Sequence, residues 1–240
     1  MTTYFVSDIH LNEDTKENSS LLLEFLRHVG PTADAMYFLG DLFSLWLGDD
    51  LNADYAKPLI TALKTLSNQG KPLFIMRGNR DFLLGPKFCQ ATGCTLLNDP
   101  TVIDLYGKKV LITHGDLLCT LDQDYQRFRK VVQHPIIKTL FLSLPAILRL
   151  KIATWVKAKS KRSSNYAAPL QAEIWDVSAD TVAAWLQKYQ VGCIIHGHTH
   201  KPAVHELANA TRIVLGDWTA NSAKILAFNA DGFELQDLTD

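Results

Sequence analysis

Leu73-Phe74-Ile75-Met76-Arg77-Gly78-Asn79-Arg80-Asp81 passes from a short apolar run into a glycine turn bearing an amide, a guanidinium and a carboxylate. Short apolar runs of this kind read as buried strands. The same succession recurs in Tyr4-Phe5-Val6 before Ser7-Asp8, and in Met36-Tyr37-Phe38-Leu39 before Gly40-Asp41. It returns in Val110-Leu111-Ile112 before His114 and in Cys193-Ile194-Ile195 before His196. Each run ends on residues able to do chemistry, so the C-terminal strand ends are expected to converge on one site. Between the first three runs lie amphipathic stretches, Ser20 to His28 and Pro58 to Ser67, the second closed by Asn68-Gln69-Gly70. Thr211 to Leu215 and Lys224 to Phe228 read as two more strands, the latter closed by Asn229-Ala230-Asp231-Gly232. The alternation predicts an α/β layered architecture in one domain spanning residues 1–240.

A different composition takes over at about 122–175. From Tyr125 to Ala172 there is no Asp or Glu, yet Arg127, Arg129, Lys130, Lys138, Arg149, Lys151, Lys157, Lys159, Lys161 and Arg162 fall within it. Ile136, Ile137, Leu140, Phe141 and Leu144 follow helical spacing up to Pro145, and Ile147, Leu148, Ile152, Trp155 and Val156 resume it. Two helices inserted between the fourth and fifth core strands are expected. Their place between two strand ends that carry polar chemistry favours a lid over a plain solvated face.

With 240 residues, 47% of them hydrophobic and 20% charged, the chain can bury one substantial core. A net charge of −1 gives no overall attraction to nucleic acid or to an anionic membrane. Cys89, Cys94, Cys119 and Cys193 show no CxxC spacing and read as reduced core thiols. Met1 leads directly into Thr3-Tyr4-Phe5-Val6 with no basic and apolar leader, and Lys138 and Arg149 bracket the most apolar run. A cytoplasmic protein, peripheral on a membrane at most, is expected.

The strand ends spell Asp8-x-His10, Gly40-Asp41, Gly78-Asn79-Arg80-Asp81, His114-Gly115-Asp116 and His196-Gly197-His198-Thr199-His200. Carboxylate, imidazole and amide oxygen suit two first-row divalent ions such as Mn²⁺, whereas a thiolate set would indicate structural zinc. Two nearby ions need a bridging ligand, and Asp41 is the candidate. Taken in order, these motifs resemble the calcineurin-like metallophosphoesterases, whose pattern is DxH, GD, GNH(D/E), HG and GHxH. That resemblance implies a layered β-sandwich flanked by helices, here with a helical lid. It also implies one ion on Asp8, His10, Asp41 and His198, and a second on Asp41, Asn79, His114 and His196.

The third motif reads GNRD where many relatives have GNH. Arg80 cannot protonate a leaving group, because guanidinium stays charged at physiological pH, but it can clamp phosphate oxygens. An acid is unnecessary when phosphate itself departs, so the arginine indicates cleavage of a phosphate anhydride, with Arg80, Asp41 and Asn79 as the catalytic set. Trp46-Leu47-Gly48-Asp49-Asp50, Gly78-Asn79-Arg80-Asp81-Phe82-Leu83, the run from His196 to Ala203 and Leu215-Gly216-Asp217-Trp218 are similar to the UDP-2,3-diacylglucosamine pyrophosphatases of lipid A biosynthesis. This resemblance implies hydrolysis of UDP-2,3-diacylglucosamine to UMP and 2,3-diacylglucosamine 1-phosphate (lipid X) by a two-metal-activated hydroxide. The setting it implies is the cytoplasmic face of a bacterial inner membrane, with a lipid-linked UDP-sugar and no nucleic acid as partner.

Family substrate contacts carry over to Asn79, Arg80, Asp122, Ser160 and His196. A lysine usual shortly before the Asp176-Val177 pair is missing, the chain having Pro169-Leu170-Gln171-Ala172 there, and Lys161, Arg162 or Asn165 is left to replace it. Asp122 also suits a helix N-cap. Asp81, Asp116 and His200 are expected to orient ligands, and His28, His134 and His205 to be structural. The basic rim of the lid, with Arg149, Lys157, Lys159 and Lys161, is expected to face phosphates, and its apolar interior two acyl chains. The competing readings are a pyrophosphatase or phosphodiesterase of soluble nucleotides and a metal-free scaffold.

Overall fold

Period-two alternation divides each central strand between two cores. In β1 (Thr3–Val6), Phe5 faces one core while Tyr4 and Val6 face another. β2 (Ala35–Leu39) sends Tyr37 and Leu39 to the first and Met36 and Phe38 to the second, and β3 (Leu73–Met76) splits in the same way. These three strands are parallel neighbours. Their sheet continues through β4 (Thr95–Leu97) on one side, and through β11 (Ser222–Phe228) with β10 (Trp218–Thr219) and β12 (Phe233–Asp237) on the other.

A second sheet runs in the order β5 (Thr101–Leu105), β6 (Lys108–Ile112), β7 (Cys193–His196), β9 (Ala210–Val214) and β8 (Ala203–Leu207). Val110, Ile112, Ile195 and Ile213 meet Phe5, Leu39 and Met76 between the sheets. Tyr37 stacks between Phe5 and Phe74 with ring centroids 4.9 and 4.6 Å apart, pairs worth about 0.5–1.5 kcal/mol each beyond burial. On the outer face of the first sheet lie α1 (Lys16–His28), α2 (Lys57–Asn68) and α3 (Pro86–Thr92), seated through Leu22, Leu63 and Phe88.

The computed structural model describes residues 1–51, 53–163 and 176–239. Between β6 and β7 the chain forms α4 (Gln123–Val132), α5 (Pro135–Leu142), α6 (Ala146–Ser163) and α7 (Ala179–Tyr189). α5 and α6 are the two expected inserted helices. α7 instead covers the second sheet, with Val182 against Leu111 and Ile194, which completes four layers.

All seven strands and both helices expected from apolar runs are present, Leu73–Met76 with the same bounds, Ala210–Val214 shifted by one residue and the others slightly longer. The hairpin β5–β6 escaped notice because its turn residues, Tyr106 at φ 53 and Gly107 at φ 84, are not the usual Asn-Gly pair. α7 carried a legible signal, the Ser178 cap followed by Val182, Trp185, Leu186 and Tyr189 at helical spacing.

Candidate active site

Parallel strands β1, β2, β3, β6 and β7 end side by side, and the polar groups follow within four residues of each end. Asp8, His10, Asp41, His198 and His200 all have φ between 52 and 69, a conformation costly for residues with a Cβ. Two glycines allow the loops to close this far. A Cβ at Gly78 would lie 2.2 Å from Asp41 Oδ1, and one at Gly197 would lie 2.2 Å from Asp8 Oδ2.

Five side chains form two overlapping groups. Ligand atoms of Asp8, His10 and His200 lie within 4.8 Å of one another, as do those of Asp8, Asp41 and His114. Asp8 is common to both groups, and Asp41 reaches toward each, with Oδ2 3.9 Å from His10 Nδ1 and Oδ1 3.8 Å from His114 Nε2. Asn79 Oδ1 lies 2.9 Å from His114 Nε2 and 3.0 Å from His198 Nδ1. His114 Nδ1 donates to the Leu39 carbonyl at 2.9 Å, which leaves Nε2 turned to the centre.

The donor set fits divalent cations. Asp8 Oδ1 is buried without a hydrogen-bond partner, with His200 Nε2 at 3.4 Å and His10 Nε2 at 4.0 Å. Burial pushes His10 and His198 down to about 4, whereas His114, despite its burial, is held up at about 9 by the Asp41 and Asp8 carboxylates, a positive charge that a cation among them would replace. Burial likewise raises the Asp41 carboxyl, so two buried carboxylates here favour a cation between them.

His196 does not join either group. Its Nδ1 donates to the Gly197 carbonyl at 2.9 Å and its Nε2 faces Arg212 Nη1 at 3.4 Å. His200, expected to orient ligands, lies beside Asp8 and His10, whereas neither group of three includes His196 or His198. Positions 196, 198 and 200 share the same spacing of two, so the strand run alone did not say which pair turns inward. The positive φ of His198 and His200, beyond the end of β7, turns those two rings to the site. Asp217, not singled out from sequence, lies 3.5 Å from His200 Nδ1 and orients that ring.

Asp81 accepts backbone N–H bonds from Gly78 at 2.7 Å and Leu42 at 2.8 Å, tying the third motif to the second. Asp116 accepts from Tyr125 Oη at 2.5 Å and Arg129 Nε at 2.6 Å, joining α4 to the site, where Tyr125 stacks near His198. The Arg80 main chain donates to Asp41 Oδ1 at 2.7 Å, while its side chain is exposed with no ion pair among the described residues. That guanidinium is available to an anionic ligand.

Asp122 caps α4, accepting from Tyr125 N at 2.9 Å. Asn165, Pro169 to Ala172 and the side chains of Lys157, Lys159, Ser160, Lys161 and Arg162 lie outside the described residues. Arg149 does not line a phosphate-facing rim: it is 1% exposed and bound to Asp50 and the Leu47 carbonyl. Arg129 and Lys138 are similarly occupied, Lys138 donating to the Phe82 carbonyl at 2.9 Å. Several apolar residues of the insertion are in contrast exposed, Ile136 by 63%, Leu140 by 60% and Ile147 by 73%.

No disulfide joins the described cysteines, and among the described residues no helix is long and apolar enough to cross a membrane. A family model of calcineurin-like phosphoesterases matches residues 1–202. The UDP-2,3-diacylglucosamine hydrolase of Coxiella burnetii (strain RSA 331 / Henzerling II) is 45% identical over 239 residues, covering 98% of this chain and 96% of that protein. The protein of that name from Serratia proteamaculans is 44% identical with 98% of both chains covered, and that from Vibrio parahaemolyticus 42% with the same coverage. Among solved structures, Yfce, a phosphoesterase from E. coli, superposes with a TM-score of 0.51 at 17% identity over 100% of this chain and 94% of that one. An archaeal phosphodiesterase gives 0.50 at 13% identity over 99% of each. At such low identity these two likenesses speak for the fold alone. The chain belongs to the calcineurin-like phosphoesterase family and, within it, to the UDP-2,3-diacylglucosamine hydrolases.

Proposed function

We propose that this chain hydrolyses the pyrophosphate bond of UDP-2,3-diacylglucosamine, releasing UMP and 2,3-diacylglucosamine 1-phosphate. Water oxygen forms the new P–O bond, the anhydride P–O bond breaks, and the electron pair leaves with the sugar phosphate. Two divalent ions, Mn²⁺ by the donor chemistry, fit one on Asp8, His10, Asp41 and His200 and the other on Asp41, Asn79, His114 and His198. Such ions supply Lewis-acid polarisation of the phosphate and acidify water. Asp41 holds the two positions together, Asn79 adds a neutral oxygen, and Arg80 neutralises charge that develops on the phosphate oxygens. Phosphate leaves as a stable anion, so the absence of an acid at residue 80 costs nothing.

The observation that carries the acylated substrate is the uncovered apolar surface of α4 to α6 beside the site. Hydrocarbon burial is worth about 0.8 kcal/mol per CH₂, so two acyl chains supply large affinity to a substrate whose soluble part is common. The same surface supports peripheral association with the inner leaflet, where that substrate resides. Hydrolysis with Mn²⁺ in ¹⁸O-labelled water tests the reading: label is expected in UMP, and deacylated UDP-glucosamine is expected to be a very poor substrate. Equal kcat/KM for the two substrates would favour a soluble-nucleotide pyrophosphatase instead.

A further inference from the structure

Across α4, α5 and the described side chains of α6, Arg149 alone is fully buried, while Ile147, Leu148, Leu150 and Ile152 around it stand in solvent. A helix that buries its arginine and exposes its leucines inverts the usual sidedness, so the interior must hold something that answers the charge. Nη1 donates to the Leu47 carbonyl at 2.5 Å and to Asp50 Oδ1 at 2.9 Å, and Nη2 donates to Asp50 Oδ2. Two parallel bonds to one carboxylate need the planar fork that lysine lacks.

Gly48 makes the room. Its φ is +129, and a Cβ there would lie 2.4 Å from Arg149 Nη1, 2.7 Å from Asp50 Oδ1 and 2.9 Å from Leu142 Cδ2 on α5. The other end of this short loop is joined to Arg80, because Trp46 N–H donates to the Arg80 carbonyl at 3.2 Å. Asp49 braces the loop, accepting from the Trp46 indole at 2.9 Å and from Gly85 and Phe88 N–H at 3.0 Å each. Residues 46–50 therefore touch the main chain of the phosphate-facing arginine at one end and α6 at the other.

We propose that Gly48, Asp50 and Arg149 form a latch fixing the insertion relative to Arg80, and that these positioning residues set specificity for an acylated substrate without touching the reacting atoms. The inference rests on the acylated-substrate reading above. Without the latch the apolar helices lose their registration over the site, while a small ester that reaches only Arg80 and the donor set is unaffected.

The test measures KM and kcat for UDP-2,3-diacylglucosamine and for bis(p-nitrophenyl) phosphate in the wild type, Asp50→Asn, Arg149→Lys, and the exchange Asp50→Arg with Arg149→Asp. Each single variant is expected to raise KM for the acylated substrate about tenfold or more with kcat within about threefold, the small ester unchanged, and the exchange recovering part of the loss. Wild-type KM in both single variants overturns the latch. So does an equal loss on both substrates, because the pair then merely supports the fold. A wild type that cleaves the small ester and leaves the acylated one intact sinks the substrate reading and this inference with it, so the two failures are told apart by the wild type alone.

Discussion

At the strand ends Asp8, Asp41, Asp81 and His114 are buried among apolar strands, each facing a defined polar neighbour, whereas α6, among its described side chains, keeps a single charge inside and its hydrocarbon outside. Both arrangements oppose the ordinary partition of side chains, for different reasons. Buried carboxylates are tolerable where cations and backbone N–H groups answer them, and the apolar surface is tolerable where a lipid covers it. The strand-end site is held by backbone N–H bonds to Asp81 and Asp41 that tie one motif to the next. Among the described residues, Arg129, Lys138 and Arg149 tie the insertion to the body of the fold, together with Tyr125, Gln126 and the partly buried Phe141.

The sharpest test of this contrast is removal of the bridge. Asp41→Ala is expected to abolish nearly all turnover on every substrate and to lower ion content below two per chain, as read by elemental analysis; two bound ions with a near-normal rate would exclude the bridging role. Next comes the choice between neighbouring imidazoles. His200→Ala is expected to lose an ion, while His196→Ala keeps two and slows turnover by about 10–100-fold at most, the range for a residue that supports ligands. An ion lost from His196→Ala and kept in His200→Ala would restore the assignment implied by the family motif.

Arg80→Ala is expected to keep both ions and to lower kcat on the order of 10²-fold or more, since its exposed guanidinium stabilises charge without holding metal. A fall in ion content would show that the residue is misplaced. On the insertion, Ile152→Asp should weaken the acylated substrate strongly and leave a small phosphoester alone, whereas Phe141→Asp should impair both, because Phe141 packs against the core under the first sheet. Identical behaviour of the two variants would contradict that division.

The smallest effect is one of pH. Hydrogen bonding by Arg149 holds the Asp50 carboxyl below its usual range. A folded pKa below the unfolded one gives stability that is complete above about pH 4 and lost as pH falls further. Asp50 is 51% exposed, so the Tm difference between wild type and Asp50→Asn is expected to be about 2 °C or less near neutrality and to vanish in acid.

Strand runs, the five polar motifs and the charge-poor insertion were all readable because they depend on local succession: apolar residues at period two or 3.6, then a glycine, then a ligand. Asp8, His10, Asp41, Asn79, His114 and His198 follow from that succession, and Arg80 follows from a departure within it. What succession could not say was direction. The family pattern implies His196 as a ligand and His200 as a residue that orients ligands, whereas the fold sets His200 Nε2 3.4 Å from Asp8 Oδ1 and the His196 ring between the Gly197 carbonyl and Arg212. Arg149 likewise reads as one basic residue among ten, and its burial arises from Asp50 and Gly48, about a hundred residues away. Pairings across such separations are made by packing, which carries no local period in the sequence.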